Sequence, residues 1–303
     1  MPIQSDGDEK ILFGGPPCRG FSTSNQRTRS LSNPVNGLYR HLLRLARSWL
    51  PDWVVLENVG GILATAGGEV VKDITRMLRD IGYETRIEVL NSRDFGVPQD
   101  RTRVFVVARR GSEQPRTIPR QVSAPPTVHE AIGDLPPLEN GARFSWLPYS
   151  GPACSEYAET LRTKEGGCGG HYVTKNSQKV IERYRHIHPG GNWRNIPAAL
   201  MSNYKDRTRC HTGIYRRLRD EEGASVIGNY RKNMLIHPTQ DRGLSVREAA
   251  RLQSFPDWFE FSGSIGFQQQ QVGNAVPPLL ANAVFSGILE AETKSMNEGA
   301  GGE

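Results

Sequence analysis

The sequence has few cysteines, and no two of them are closely spaced. The four are Cys18, Cys154, Cys168 and Cys210. A structural zinc site or a dithiol redox motif usually contains a Cys-x-x-Cys pair, so the sequence predicts neither, and we expect no bound metal. Without such motifs we expect the cysteines to be free thiols. Free thiols are typical of cytoplasmic proteins, so we expect this chain to act in the cytoplasm.

Long apolar runs are also lacking. No run is long enough to predict a membrane span, and the N-terminus has no feature typical of a secretory signal peptide. The charged fraction of the 303 residues is 23% and the hydrophobic fraction is 37%, as in an ordinary globular protein. We therefore expect one large or two modest domains and no membrane partner.

Basic residues are unevenly distributed along the chain. The formal net charge is +6, and residues 181–219 contain nine Lys or Arg but only two acids. Tyr184, Trp193, Tyr204 and Tyr215 are interleaved with them. This pattern is typical of a nucleic-acid surface, although a solvated face has the same composition. The residues that we assign to DNA binding are Arg183, Arg185, Arg194, Lys205, Arg207, Arg209, Arg216 and Arg217.

Strands and helices are predicted to alternate in the first third of the chain. Apolar runs predict strands at residues 11–13, 53–56, 83–90 and 104–108, and helical spacing predicts helices over residues 39–50 and 70–81. This alternation is typical of an α/β sheet with covering helices. Ligands of such sheets lie at the carboxyl ends of the strands.

The sequence changes character near residue 111, where Pro, Gly, Ser and basic residues replace the apolar periodicity. Ser245 and Glu248 then form the pattern of a capping box, which opens a helix through Gln253, and another helix follows Pro277. The predicted organisation is a catalytic part in residues 1–110, a linker and a smaller, irregular domain in 111–240, a return to the first domain in 241–290 and a disordered tail in 291–303.

Cys18 follows the first predicted strand, in a loop stiffened by Pro16 and Pro17. A cysteine beside prolines is more often structural than catalytic. Here Arg19 and Arg27 are close in sequence, and nearby cations favour the thiolate, which is the nucleophilic form. The residues alone leave both roles open.

Charged residues flank two further predicted strands. Glu57 follows the strand at 53–56, where a carboxylate either caps a helix or faces a substrate. Arg101 and Arg103 precede the strand at 104–108, and in an extended segment both would point to the same side. Two such guanidiniums suit a phosphate or a carboxylate, although a solvated sheet edge would have the same pattern.

Together these motifs resemble those of the cytosine-5 DNA methyltransferases. The segment Gly15-Pro16-Pro17-Cys18-Arg19-Gly20-Phe21-Ser22 is similar to the catalytic loop of that family, with Arg19 in place of the usual Gln. Four further motifs match in the order of the family: Glu57-Asn58-Val59, Gln99-x-Arg101-x-Arg103, Arg247–Pro256 and Gln271–Pro278. The resemblance covers residues 11–288.

The resemblance implies a partial Rossmann-like class I methyltransferase sheet, a target-recognition domain at residues 111–240, double-stranded DNA as partner and S-adenosylmethionine as methyl donor. Cys18 would add to carbon 6 of a flipped cytosine, Glu57 would protonate or hydrogen-bond nitrogen 3, and Arg101, with Arg103, would orient the base and Glu57. Supporting roles would fall to Pro16, Pro17, Ser22, Asn58 and Gln99, and minor cofactor contacts to Asn274 and Ala275. The expected setting is a bacterial restriction-modification or orphan enzyme acting at the nucleoid.

One part of the family pattern has no counterpart here, namely the N-terminal strand and Gly-rich turn that bind most of the methyl donor. The alternatives are a misplaced start or truncated gene, a split enzyme whose N-terminal half is a separate chain, and an inactive DNA-binding relative. We expect this chain alone to bind S-adenosylmethionine weakly and to methylate no DNA at a useful rate. RNA methyltransferases are a further alternative, but neither their Cys-Phe-Thr tripeptide nor a second cysteine near Glu57 is found.

Overall fold

A computed structural model of the chain describes residues 9–16, 37–119, 124–204, 213–228 and 230–299. The strands are β1 (Ile11–Gly14), β2 (Trp53–Val59), β3 (Tyr83–Asn91), β4 (Thr102–Arg110), β5 (Arg143–Pro148) and β6 (Gly167–Tyr172). The α-helices are α1 (Tyr39–Trp49), α2 (Glu69–Arg79), α3 (Val128–Ile132), α4 (Glu156–Leu161), α5 (Gln178–Arg185), α6 (Tyr230–Asn233), α7 (Val246–Arg251), α8 (Ile265–Asn274) and α9 (Pro278–Gly299). Short 3-10 helices lie at Gly60–Leu63, Thr65–Gly68, Ser92–Phe95, Trp193–Asn195 and Ala198–Met201.

The described residues divide into two compact units. The first unit comprises Met1–Asn91, Thr102–Arg120 and Asn282–Glu303, and the second comprises Ser92–Arg101 and Gln121–Ala281. Helices α7 and α8 thus group with the second unit, although the sequence assigned residues 241–290 to the first domain. The reason is packing, because Val246, Leu252 and Val272 share one apolar core with Val128 and Leu135.

The first unit is built on a four-stranded sheet in the order β1-β2-β4-β3. β1 pairs parallel to β2, whereas β4 runs antiparallel to both of its neighbours. The predicted α/β sheet is therefore confirmed. β2 is longer than the sequence indicated, so Glu57 lies within the strand, paired in register with Phe105, and not past its end.

Helices α1 and α2 cover this sheet through their apolar faces. Leu43 on α1 and Ile74 and Leu78 on α2 are buried in the same cluster as Val54 of β2. Full burial of one such side chain stabilises a fold by about 1.5–3 kcal/mol. This explains why helical apolar spacing placed both helices correctly. Gly82, which the sequence indicated as a C-cap, follows α2 with φ +87°, a conformation that glycine adopts without strain.

The second unit contains the antiparallel pair β5–β6 and a buried network of arginines and acids. Arg251 bonds to both Asp134 and Asp257, and all three side chains are fully buried. The capping box at Ser245 and Glu248 is confirmed, with each side chain accepting from the other residue's backbone N–H. α7 ends at Arg251, two residues before the predicted end.

One stretch, Ile265–Leu289, is long and apolar enough to cross a membrane by length and composition alone. It comprises α8 and the first turns of α9, which are separated at Ala275–Pro277. Val272, Leu280 and Val284 within it are buried, as in the core helices of a globular protein. α9 continues as helix to Gly299, past residue 290, where the sequence predicted the ordered chain to end.

Candidate active site

The carboxylate of Glu57, in the first unit, forms an ion pair with an arginine of the neighbouring strand. Nε of Arg103 lies 2.9 Å from Oε1 of Glu57, and the two side chains are only 12% and 13% exposed. Val59 pairs with Arg103 across the β2–β4 ladder, so the two charged side chains meet diagonally across two paired strands. A largely buried carboxylate requires such a partner, because an unpaired buried charge is costly.

The segment that leaves β1 lies against the same part of β2. Nδ2 of Asn58 donates to the carbonyl oxygen of Pro16 at 3.2 Å, and Oδ1 of Asn58 accepts from the N–H of Val59 at 3.0 Å. A Cβ added to Gly15 would lie 3.1 Å from Oε2 of Glu57. The chain that continues toward Cys18 therefore leaves β1 beside the carboxylate.

Three of the predicted loop residues lie outside the described residues, namely Pro17, Cys18 and Ser22. Pro16 is the last described residue before them, and its carbonyl is held by Asn58. Their roles stay predictions from the sequence.

Arg101 and Arg103 have different partners, although their motif presents them as a pair. Arg101 belongs to the second unit, is 1% exposed, and donates from Nη1 to the carbonyl of Ile227 at 3.2 Å. Its Nη2 donates to the carbonyls of Gly273 at 3.0 Å and Ala275 at 2.9 Å. Glu57 forms an ion pair with Arg103, and the expected role of Arg101 in orienting Glu57 stays a prediction.

Gln99 is completely buried and joins three segments of the second unit. Its Nε2 donates to the carbonyl of Leu252 and to Oε1 of Gln253, and its Oε1 accepts from the N–H of Ile227 at 2.8 Å. Gln99 and Arg101 thus satisfy both backbone groups of Ile227. This is a structural contribution that the motif alone did not indicate.

The two predicted cofactor contacts lie at the end of α8. Asn274 is the last residue of the helix, and its side chain is exposed. The carbonyl of Ala275 is engaged by Arg101. An exposed amide fits a hydrogen bond to a polar cofactor, so Asn274 is suited to the predicted role, whereas the Ala275 carbonyl already has a structural partner.

Two of the residues assigned to DNA binding are buried. Arg183 is 3% exposed and donates to the carbonyl of Leu200 and to the hydroxyl of Tyr215 at 2.7 Å. Arg217 is 5% exposed and donates to the carbonyls of Tyr184, Ile187, His237 and Gln240. The assignment of Arg183 and Arg217 to a DNA surface is therefore wrong, because both guanidiniums are buried in the second unit and donate to its backbone carbonyls.

Other members of the basic stretch remain available at the surface. Arg185 and Arg194 are exposed, the first beside Glu182 and the second over the ring of Trp193. Arg216 is partly exposed and lines a groove of about 400 Å³ together with Arg93 and Glu222. Lys205, Arg207 and Arg209 lie outside the described residues.

Sequence reasoning missed a buried polar cluster next to α7. Arg242 donates to both carboxylate oxygens of Glu248, at 2.8 and 2.6 Å. Burial alone would raise the pKa of Glu248, but Arg242 overcomes this effect and lowers it to about 2. Burial lowers the pKa of the adjacent His237 to about 4. The capping-box pattern was the available signal for Glu248; nothing in the sequence marked His237.

No group of three or more His, Cys, Asp or Glu suited to a metal is found in the part of the chain that the structure describes. Of the cysteines, Cys154 is partly buried and Cys168 is buried, and both are free. Burial raises the pKa of the Cys168 thiol to about 12. Cys168 is thus held as a thiol at neutral pH and is a poor nucleophile.

Known proteins share both the sequence pattern and the fold of this chain. The model of the C-5 cytosine-specific DNA methylases matches residues 4–290. The type II methyltransferase M1.HphI of Haemophilus parahaemolyticus is 33% identical, over 93% of this chain and 69% of its own length. M.DdeI of Desulfomicrobium norvegicum is 31% identical, over 93% of this chain and 74% of its own length.

A solved structure has a similar fold. It is that of an E. coli protein described as a DNA modification methyltransferase encoded within a prophage. The TM-score is 0.71 at 24% identity, over 93% of this chain and 78% of the other.

Proposed function

This chain belongs to the C-5 cytosine-specific DNA methylase family, whose model matches residues 4–290, and from that premise we propose that it methylates carbon 5 of a cytosine flipped out of duplex DNA through a covalent adduct of Cys18. The observation that carries the proposal is the Glu57–Arg103 ion pair, which lies where the chain leaves β1 toward Cys18.

Carbon 5 of cytosine is a weak nucleophile, so the reaction needs activation. Addition of a thiolate to carbon 6 converts the ring into an enamine whose carbon 5 can accept a methyl group, and this covalent step replaces one difficult reaction by easier ones. Cys18 has the role of that thiolate in our proposal. Loss of the proton from carbon 5 then expels the thiolate.

Glu57 and Arg103 act on the opposite edge of the ring. Negative charge develops near nitrogen 3 as the thiolate adds, so a proton delivered to that atom stabilises the transition state. In our proposal the proton comes from the carboxyl group of Glu57, which leaves a carboxylate paired with Arg103. Arg103 holds Oε1 of Glu57, which restricts the carboxylate to one orientation. The other oxygen, Oε2, faces Gly15, where a side chain would meet it at 3.1 Å. Glycine at this position keeps that side of the carboxylate open to a base.

Asn58 fixes the start of the catalytic loop. Its side chain is 2% exposed and bridges Pro16 and Val59. The reacting atoms must be held about 3–3.5 Å apart and aligned, and a misplacement of about 1 Å can slow the reaction about a hundredfold. We assign to Asn58 the role of fixing the position of Pro16, two residues before Cys18.

The substrate is duplex DNA, and the target base must leave the stack because carbon 6 is inaccessible inside the helix. Of the residues assigned to DNA binding, the exposed Arg185 and Arg194 and the partly exposed Arg216 are the described ones that can contact phosphates. Members of this family use S-adenosylmethionine, which supplies the methyl group, and Asn274 is the described side chain that fits a contact with it. The relatives named type II methyltransferases support a restriction-modification role in the cytoplasm.

Bisulfite sequencing of DNA from cells that express the chain tests the proposal. The experiment has two arms, one with this chain alone and one with co-expression of the N-terminal portion of a type II relative. We expect methylated cytosines in one sequence context in the co-expression arm, and their loss with Cys18→Ser but not with Cys154→Ser. Methylation that persists in the Cys18→Ser variant, or none in either arm, would contradict the proposal.

A further inference from the structure

The guanidinium of Arg101 binds the backbone on both sides of Asn274. One nitrogen, Nη2, donates to the carbonyls of Gly273 and Ala275, which flank Asn274 directly. The other, Nη1, donates to the carbonyl of Ile227. Because a planar guanidinium has donors in fixed directions, these three bonds fix the position of the last turn of α8 relative to Ile227.

The backbone at this place has no room to move toward Ile227. A Cβ added to Gly273 would lie 2.1 Å from the carbonyl oxygen of Gly228, so glycine is required for the close approach of the two segments. Gln99 holds the N–H of Ile227 at 2.8 Å from its Oε1. The end of α8 is therefore packed against a segment that is itself fixed on both sides.

These contacts leave the side chain of Asn274 exposed while its two neighbouring peptide groups are held. An amide presented in this way is preorganised, because a ligand that binds it does not have to order the helix end first. We propose that Arg101 is a positioning residue for the methyl-donor contact at Asn274. This inference rests on the proposed function, since it assumes that Asn274 faces S-adenosylmethionine.

Hydrogen exchange of the backbone amides tests the positioning itself. Arg101→Lys keeps the positive charge but cannot reach three carbonyls at once. We expect faster exchange in a peptide covering residues 270–277 of this variant. The matched control is Arg217→Lys, which alters another buried arginine of the same unit that also binds several carbonyls but leaves α8 untouched. Equal exchange of that peptide in the two variants would overturn the positioning role.

Binding of S-adenosylhomocysteine tests the functional part. Ligand-detected NMR suits weak binding, and the affinity is measured for the unsubstituted chain, Arg101→Lys, Asn274→Ala and the double variant. If Arg101 acts through Asn274, Arg101→Lys should weaken binding by about tenfold in the unsubstituted background and have little further effect after Asn274→Ala, because coupled residues are non-additive.

The remaining outcomes are distinct. Equal weakening by Arg101→Lys in both backgrounds would mean that Arg101 has only a general structural role, and would overturn the proposal. An unsubstituted chain that binds no S-adenosylhomocysteine would overturn the role of Asn274. Neither result would contradict the Cys18 chemistry, which bisulfite sequencing measures independently.

Discussion

Nε of Arg103 on β4 lies 2.9 Å from Oε1 of Glu57 on β2. The two residues are 46 positions apart in the sequence, and antiparallel pairing of adjacent strands brings them together. An ion pair with so little exposure is stabilising only if both partners remain, because removal of one leaves an uncompensated buried charge. In our account the pair fixes the carboxylate that binds the cytosine ring.

Removal of Arg103 should therefore impair the chemistry more than DNA binding. For Arg103→Met we expect formation of the covalent DNA adduct to slow by about a hundredfold, the usual effect of losing one positioned electrostatic partner. The affinity for DNA should change little. The control is Arg110→Gln. Arg110 is also on β4, and its ion pair with Asp52 is more exposed. Parallel losses of adduct formation in both variants would argue against a specific role for Arg103.

Neighbouring arginines in the second unit should differ sharply in their effect on stability. Arg217 is buried among carbonyls, whereas Arg216 lines a surface groove. We expect Arg217→Met to lower the free energy of unfolding by about 3–5 kcal/mol, because several buried carbonyls lose their donor at about 1–3 kcal/mol each. Arg216→Met should lower it by less than about 1 kcal/mol. Urea unfolding measures both. Similar values for the two variants would show that the buried contacts of Arg217 add nothing to the free energy of unfolding.

The exposed arginines should contribute to the salt dependence of DNA binding. The slope of log affinity against log salt is negative, and each phosphate contact that is lost makes it shallower by about 0.9. Replacement of both Arg185 and Arg194 by Gln should make that slope shallower by about 2 if each contacts a phosphate. Lys72→Gln, an exposed change on α2, should leave it unaltered. A slope unchanged by the double replacement would identify this surface as a solvated face.

Stability should fall between pH 6.5 and pH 4 because of His237. Burial lowers its pKa from 6.5 to about 4, against the attraction of Glu248 and with Arg242 and Arg217 also nearby. In this range the unfolded chain binds a proton that the folded chain does not, so the stabilisation is complete above about pH 6.5 and is lost as the pH falls. One such histidine contributes about 3 kcal/mol. Burial lowers the pKa of His171 as well, which adds to the effect in the same direction.

His237→Asn isolates this contribution. Nδ1 of His237 accepts from the N–H groups of Thr239 and Gln240, and the Oδ1 of asparagine can replace it without titrating. The free energy of unfolding of the variant should depend less on pH between 6.5 and 4. If the pH dependence were the same in both proteins, another group would be its source.

The sheet of the first unit was well predicted from the sequence, because apolar periodicity reports burial directly. The strand at 83–90 and the helix at 39–50 both have counterparts with nearly the same bounds, Tyr83–Asn91 and Tyr39–Trp49. The extent of β2 was underestimated, since Glu57 and Asn58 are polar and end the apolar run. The family resemblance related Arg103 to Glu57, but nothing in the sequence indicated that Pro16 lies beside Asn58.

The arginines were the least predictable residues. An arginine in a basic stretch has the same composition signal whether it faces solvent or, like Arg183, is buried against the carbonyl of Leu200 and the hydroxyl of Tyr215. The partners of Arg101 are 126, 172 and 174 residues away in the sequence. Local sequence patterns contain no information on such distant carbonyls. The motif can therefore be recognised from the sequence, but the hydrogen-bond partners of its first arginine cannot be predicted.

The most direct test of the account is covalent capture by 5-azacytosine in DNA. Cells that express the chain are grown with 5-azacytidine, which places the analogue at cytosine positions throughout the DNA, so the recognition sequence need not be known. Ring position 5 is then a nitrogen, so the adduct of a thiolate at carbon 6 is not released by loss of a proton. We predict a protein–DNA complex whose DNA-linked peptide contains Cys18, formed by Cys154→Ser and absent from Cys18→Ser. An equal yield of complex from Cys18→Ser would contradict the assignment of Cys18 as the nucleophile.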